Sequence, residues 1–271
     1  MARAARSSRP PRRKRFGQHF LHDPAAIRRI VAALAPRAGE HLVEIGPGRG
    51  ALTRHLLERT DCTLDAIEID RDLAAHLAPW FASDVHQALH VGDALEFDFT
   101  GLAAQRGGRL RVVGNLPYNI STPLLFHLAA HADALLDSHV MLQREVVARL
   151  AAQPRGADYG RLTVMLAPRV TVERLFDLGP GAFQPPPRVW SAVARLGFLR
   201  APRFAVSPRY AEVVQAAFSH RRKTLRNALA RLMSGADIAA CGLDPGARPE
   251  TLAPEDFNTL ALALDRTRFS R

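Results

Sequence analysis

Short apolar runs alternate with amphipathic stretches over most of this chain. Leu42 to Ile45, Leu64 to Ile69, Ala88 to Val91, Leu110 to Val113 and Ser138 to Leu142 have the length and apolar content of strands buried on both faces. Between them the apolar period lengthens to that of a helix. Ile27, Ile30, Val31 and Leu34 precede the first strand, Leu52, Leu56 and Leu57 follow it, and Leu124, Leu125 and Leu128 come later. Asp23-Pro24 is a helix start, an N-cap followed by a proline at the first helical position, and Pro36 to Gly39 is a stop. Ser121 and Pro123 begin a later helix. Strands separated by helices predict an α/β fold with a doubly wound, mostly parallel sheet. Two more β-like runs, Arg169 to Leu178 and Val189 to Leu199, flank Gly179-Pro-Gly181 and Phe183-Gln-Pro-Pro-Pro-Arg-Val189. They predict a long hairpin that closes the sheet at seven strands, with Pro185 to Pro187 extended in its connection. Beyond Arg200-Ala-Pro202 the pattern becomes short and helical, at Tyr210 to Ser219, Lys223 to Met233 and Pro254 to Leu264. The predicted division is a tail over 1–15, a sheet domain over 16–200 and a small all-helical domain over 201–271.

Composition narrows the class. At 271 residues and 47% hydrophobic, the chain can bury a substantial core. No apolar run reaches the roughly 20 residues needed to span a bilayer, so no membrane partner is expected. The N-terminus lacks the apolar core of a signal peptide. Cys62 and Cys241 stand alone in sequence, suggesting neither a zinc site nor a disulfide framework, so no metal is expected and a reducing cytoplasm fits. Charge says more: 37 Lys and Arg against 26 Asp and Glu leave +11. Seven of the cations (Arg3, Arg6, Arg9, Arg12, Arg13, Lys14, Arg15) precede residue 16, and without them the net charge is +4. Such a tail reads as disordered and solvated, or as an arm for a polyanion. A second basic group, His220-Arg-Arg-Lys223 with Arg226, opens a helix in the C-terminal region and raises the case for nucleic acid.

The first candidate for chemistry is Glu44-Ile-Gly-Pro-Gly-Arg-Gly50, at the end of the first strand. Glycines there let the backbone take positive φ and approach a ligand, and ligands of open parallel sheets bind at this edge. Gly46, Gly48 and Ala51 also fit a dinucleotide fingerprint, and Glu68 ends the next strand where a ribose-binding acid belongs. The glycines alone do not choose between a dinucleotide and S-adenosylmethionine. Pro47 and the carboxylate of Glu44 lean towards S-adenosylmethionine, which carries a sulfonium and no phosphate.

The second candidate is Gly114-Asn-Leu-Pro-Tyr118, after the fourth strand. Asn115 offers a side-chain oxygen, Pro117 fixes the backbone so that the Leu116 carbonyl can serve as a second acceptor, and Tyr118 offers a stacking face. This set suits a flat base bearing an exocyclic amine. Acceptors on both hydrogens of an adenine N6 would localise its lone pair, leaving proximity and alignment to supply most of the rate.

Phe16-Gly-Gln-His-Phe-Leu21, the Glu44 to Gly50 loop, Glu68-Ile-Asp70, Gly92-Asp93, Asn115 to Tyr118 and Phe183 to Val189 occur in the order found in the ribosomal RNA adenine dimethyltransferases. The chain resembles that family, in its bacterial small-subunit form, from about Lys14 to its end. The resemblance implies a Rossmann-like S-adenosylmethionine methyltransferase sheet and dimethylation of N6 on two adjacent adenosines near the 3′ end of 16S rRNA. It further implies a monomer acting on the immature 30S subunit. By position, Gly46 would line the methionine end of the cofactor, Glu68 its ribose and Asp93 its adenine amine. Glu44, Gly48 and Asn115 would complete its surroundings, and Gln18, His19 and Leu21 would close over it. Asn115, Leu116 and Pro117 would present acceptors to the target N6, and Tyr118 and Phe183 would sandwich the flipped base. His19 stands where the family motif has Asn. The rivals are a large-subunit methyltransferase conferring macrolide resistance, a non-catalytic RNA-binding relative and a nicotinamide dehydrogenase; intact Asn115 to Tyr118 argues against lost catalysis.

Each phosphate contact made by a cation releases counterions, so contacts are read from the salt slope of affinity. Deleting residues 1–13 is expected to weaken RNA binding and flatten that slope without moving cofactor affinity. Equal slopes for the two proteins, in filter-binding titrations across salt, would reduce the tail to solvated surface.

Overall fold

Alternation of strand and helix produces a seven-stranded sheet in a computed structural model that describes residues 18–82, 85–220 and 222–269. The basic tail, Phe16 and Arg221 lie outside the described residues. The strands are β1 (Phe20–Leu21), β2 (His41–Ile45), β3 (Thr63–Glu68), β4 (Gln87–Val91), β5 (Leu110–Asn115), β6 (Leu135–Gln143), β7 (Val170–Leu178), β8 (Phe183–Gln184) and β9 (Ser191–Phe198). The large sheet runs β4-β3-β2-β5-β6-β9-β7. Its first five strands are parallel, and β9 pairs antiparallel with β6. β7 and β9 lie side by side, as the predicted hairpin requires. Their connection contributes β8, which pairs antiparallel with β1 across more than 160 residues of sequence, Leu21 opposite Phe183. That small sheet is not visible as a pattern in the sequence.

Helix Pro24–Leu34 starts as its cap dictates: the Asp23 carboxylate accepts from the Ala25 and Ala26 N–H groups at 2.7 and 3.2 Å. Its buried Ile27, Ile30 and Leu34 join Leu42, Leu64 and Leu56 in one core. The helix after the glycine loop is shorter than the apolar spacing suggested, Thr53–Leu57, because residues 48–52 are still turning. At the site edge β2 and β5 come very close. A Cβ on Gly114 would stand 2.5 Å from the Ile45 carbonyl oxygen, so no side chain fits there.

The chain divides into two compact units, Met1–Arg144 with Glu173–Phe198, and Glu145–Val172 with Leu199–Arg271. The second unit therefore takes in residues 145–151 of helix Arg144–Ala151 and the whole of helix Arg161–Leu166, which lie within the predicted 16–200 span. Apolar burial explains it. Tyr159 and Val164 share a core with Tyr210, Val213, Leu225 and Phe257, and the buried phenols are satisfied by the carbonyls of Leu252 and Val164, each at 2.8 Å. The run expected at Lys223 to Met233 is helical only over Leu225–Ala228, followed by a separate helix Gly235–Ala240 capped by Ser234. His220, Arg222, Lys223 and Arg226 are exposed. Among the described residues no helix is long and apolar enough to cross a membrane.

One buried charge pair in the sheet bridges neighbouring strands. Arg111 on β5 and Asp137 on β6 are register partners, joined by two hydrogen bonds of 2.9 and 3.1 Å, and Arg111 also reaches Glu40 at 2.6 Å. Burial alone would raise the Asp137 carboxyl, but the hydrogen bonds and charge of Arg111 hold it below the ordinary carboxylate range. Removing one member of such a pair strands a buried charge at a cost of about 3–5 kcal/mol. Asp137→Ala is therefore expected to lower unfolding stability by about that amount at neutral pH, measured by denaturant titration. The wild-type contribution is present above the ordinary carboxylate range and lost as pH falls through the depressed value, so the two proteins should converge in acid.

Candidate active site

The carboxyl ends of β2, β3, β4 and β5 open into one cleft enclosing about 960 Å³ of empty space, its open mouth included. Gly46 and Gly48 turn the chain out of β2 with φ of +65° and +59°. The turn is fastened to its neighbour strand: the Gly46 N–H donates to the Ile67 carbonyl at 2.9 Å and the Gly48 N–H to the Glu68 carboxylate at 3.0 Å. The other Glu68 oxygen accepts from the Asp70 N–H at 2.9 Å. Burial raises the Glu68 carboxyl, opposed by these backbone donors. Gln18 donates to Asp70 at 3.2 Å, which carries the N-terminal segment across the same edge.

Glu44 is only 2% exposed, and its Oε2 has no hydrogen-bond partner. Burial, with a smaller push from Glu68 and opposed by Thr53, lifts it to about 8. A lone buried carboxyl oxygen beside a glycine turn calls for a donor, or for a cation once the group ionises. With Glu68 and Asp93 lining the same cleft, the charge is wrong for a pyrophosphate and right for the sulfonium and ammonium groups of S-adenosylmethionine.

Asn115, Leu116, Pro117 and Tyr118 line the cleft with His19 and Ile120. The Asn115 Nδ2 donates to the His19 carbonyl at 2.7 Å, which fixes the amide and leaves Oδ1 on its other side. The Leu116 N–H is held by the Met141 carbonyl at 3.2 Å. Tyr118 is anchored at its rim, 2.6 Å from Ser191 Oγ, and its phenol is raised mainly by burial. The His19 and Tyr118 rings face each other, centroids 5.8 Å apart and planes 26° from parallel. His19 Nδ1–H donates to the Pro185 carbonyl at 2.8 Å.

Of the residues singled out in the sequence, Gln18, His19, Leu21, Glu44, Gly46, Gly48, Glu68, Asp93, Asn115, Leu116, Pro117 and Tyr118 come together here. Phe183 does not. It is 2% exposed and packed in the core with Leu21, Leu178 and Ala182, because the β1–β8 pairing turns it inward. Phe183 is the register partner of Leu21, which lines the cleft. Sequence reasoning missed Ser191, Phe20 and Arg49. The Arg49 guanidinium lies 4.3 Å above the Phe20 ring, and neither residue belongs to a polar pattern that would mark it.

A raised carboxyl favours folding while protonated, so Glu44 costs stability as pH rises from the ordinary carboxylate range to about 8. Glu44→Gln removes that cost. The mutant is expected to gain melting temperature over the ligand-free wild type progressively between pH 5 and 8, by scanning calorimetry. A difference independent of pH would mean that Glu44 is not held protonated.

Comparison with known proteins agrees with this geometry. A family model described as ribosomal RNA adenine dimethylase matches residues 11–266. The ribosomal RNA small subunit methyltransferase A of Pseudomonas aeruginosa is 54% identical over 251 residues, covering 92% of this chain and 93% of that protein. The protein of the same name from Nitrosococcus oceani is 54% identical over 253 residues, covering 92% and 94%. Among solved structures, a dimethyladenosine transferase from Plasmodium falciparum shares the fold, with a TM-score of 0.75 at 22% identity over 92% of this chain and 98% of the other. The 23S rRNA methyltransferase ErmE gives a TM-score of 0.67 at 27% identity over 91% and 99%. With a family match spanning nearly the whole chain, this protein belongs to the ribosomal RNA adenine dimethylase family.

Proposed function

We propose that this protein uses S-adenosylmethionine to dimethylate the N6 amines of two adjacent adenosines near the 3′ end of 16S rRNA. It acts on the immature 30S subunit, as a cytoplasmic monomer. The observation that carries the reading is the Asn115 amide, whose nitrogen is committed to the His19 carbonyl so that its oxygen is available as an acceptor, one residue from the Leu116 carbonyl. The small-subunit assignment draws on relatives 54% identical whose name specifies it, against 27% for the 23S enzyme.

Glu44, Gly46 and Gly48 hold the amino-acid end of the cofactor, Glu68 its ribose and Asp93 its adenine, with Gln18 and Leu21 over them. Glu68 does this while also fastening the glycine turn, so a conservative Glu68→Gln separates ribose binding from loop support better than alanine does. The bound cofactor supplies an electrophilic methyl group. Asn115 Oδ1 and the Leu116 carbonyl accept from the target amine and turn its lone pair out of conjugation. Tyr118 lies under the base, its hydroxyl already satisfied by Ser191. No side chain need act as a strong base, since the amine becomes acidic only as the new bond forms. Basic side chains exposed on the second unit, at Arg222, Lys223 and Arg226, meet the phosphate backbone.

Incubation with labelled cofactor and immature 30S particles is expected to yield N6,N6-dimethyladenosine on nucleoside digestion. Asn115→Ala should lose methyl transfer by about a hundredfold or more through misalignment of the amine, with cofactor binding intact by calorimetry. Methylation of a cytosine, a guanine or a ribose, or full activity in Asn115→Ala, would remove the loop from the adenine amine.

A further inference from the structure

Immediately before β9, Trp190 leaves a large apolar ring in solvent at 49% exposure, and Val189 beside it is exposed too. Cations flank the pair. Arg188 precedes it and is exposed, and the Arg144 guanidinium lies over the indole, 5.8 Å from its centroid. We propose that Trp190, with Arg144 and Arg188, is a stacking platform for the nucleotide next to the target adenosine, held as single-stranded RNA. The inference rests on the function proposed above and extends that substrate site beyond the cleft.

Placement carries it. The next residue, Ser191, holds the Tyr118 hydroxyl at 2.6 Å, so the indole starts one peptide away from a group fixed to the cleft wall. The sheet sets both partners of the platform. Gln143 and Ser191 are register partners, and the Arg144 N–H that follows donates to the Trp190 carbonyl at 2.9 Å. The far end of the ring rests against Gly179, where a Cβ would meet its outer carbons at 3.7 Å. Backbone thus supports the indole while about half of the residue stays open. Drawing one adenosine into the cleft takes its base out of the stack, and the neighbouring base loses a stacking partner. An indole face replaces that partner whatever the base, and the two arginines offer charge to the flanking phosphates. An aromatic with cations on both sides complements a polyanion, the substrate class of the adjoining cleft.

The test measures binding and methylation of immature 30S particles by the full-length wild type, Trp190→Ala, Trp190→Leu and Trp190→Phe. Trp190→Ala should weaken particle binding about tenfold, the order expected for one stacked base, and lower kcat/KM through KM, with cofactor affinity unchanged. Trp190→Phe should recover most of the loss. Trp190→Leu, apolar but without a π face, should not. Stacking releases no counterions, so the salt slope of affinity should be the same in Trp190→Ala as in wild type and shallower in an Arg144→Gln/Arg188→Gln double variant. A Trp190→Ala protein that binds and methylates like wild type would overturn the platform. So would a Trp190→Leu protein as good as Trp190→Phe, which would reduce the ring to apolar surface. Self-association of the wild type that Trp190→Ala abolishes, in sedimentation runs, would give the ring to a second copy of the chain instead. A wild type that forms no N6,N6-dimethyladenosine removes the functional reading, while the binding series still decides the platform.

Discussion

The site depends on how closely two parallel strands approach at their carboxyl ends. Where the Ile45 carbonyl meets Gly114, there is room for a hydrogen and no carbon, and that contact sets the two functional loops side by side. One step on, a Cβ at Gly46 would lie 3.9 Å from the Asn115 carbonyl oxygen, so the glycine loop and the Asn115 loop are neighbours through backbone alone. Side chains then divide the work. Glu68 fastens the first loop from β3, and the His19 carbonyl fastens Asn115 from the segment before β1. An alanine at position 114 would push on a strand backbone, which cannot rotate away.

Charge is sorted by distance. The chain carries +11 overall, yet the cleft is lined by Glu44, Glu68 and Asp93. At the scale of the whole molecule, positive charge gathers a polyanion and raises its encounter rate. At the scale of a few ångströms, carboxylates in a low-dielectric cleft repel phosphate and favour a cation. Under the proposed function, an RNA backbone drawn to the surface is thereby discouraged from entering the cleft, and a base enters alone.

Much of this was legible because it is local. The Asp23-Pro24 cap, the apolar strands, the glycine turn and the Asn115 to Tyr118 loop are each specified by a few consecutive residues, and the structure brings the two loops into one cleft. What escaped was decided by distant contacts. The pairing of Leu21 with Phe183 joins segments far apart in sequence and leaves no local pattern. Ser191 gains its importance only from Tyr118, 73 residues earlier. Helix Arg161–Leu166 joins the second unit because Val164 is buried with Tyr210 and Phe257, a preference that its own sequence does not announce. The helix expected over Lys223 to Met233 was misjudged for a related reason: periodic leucines there serve turns that pack, and only four residues close helical bonds.

The bond between Tyr118 and Ser191 has a consequence for selectivity. With its hydroxyl held at the rim by Ser191, Tyr118 turns its face to the cleft, and every base has a face. Under the proposed function, discrimination falls to the two acceptors at Asn115 and Leu116. Guanine and uracil would present a keto oxygen to those acceptors and be refused by repulsion between lone pairs. Cytosine bears an amine and would not be refused in this way. Keeping cytosine out is then a task for the shape of the RNA held outside the cleft, so base chemistry and address are read by separate parts of the protein.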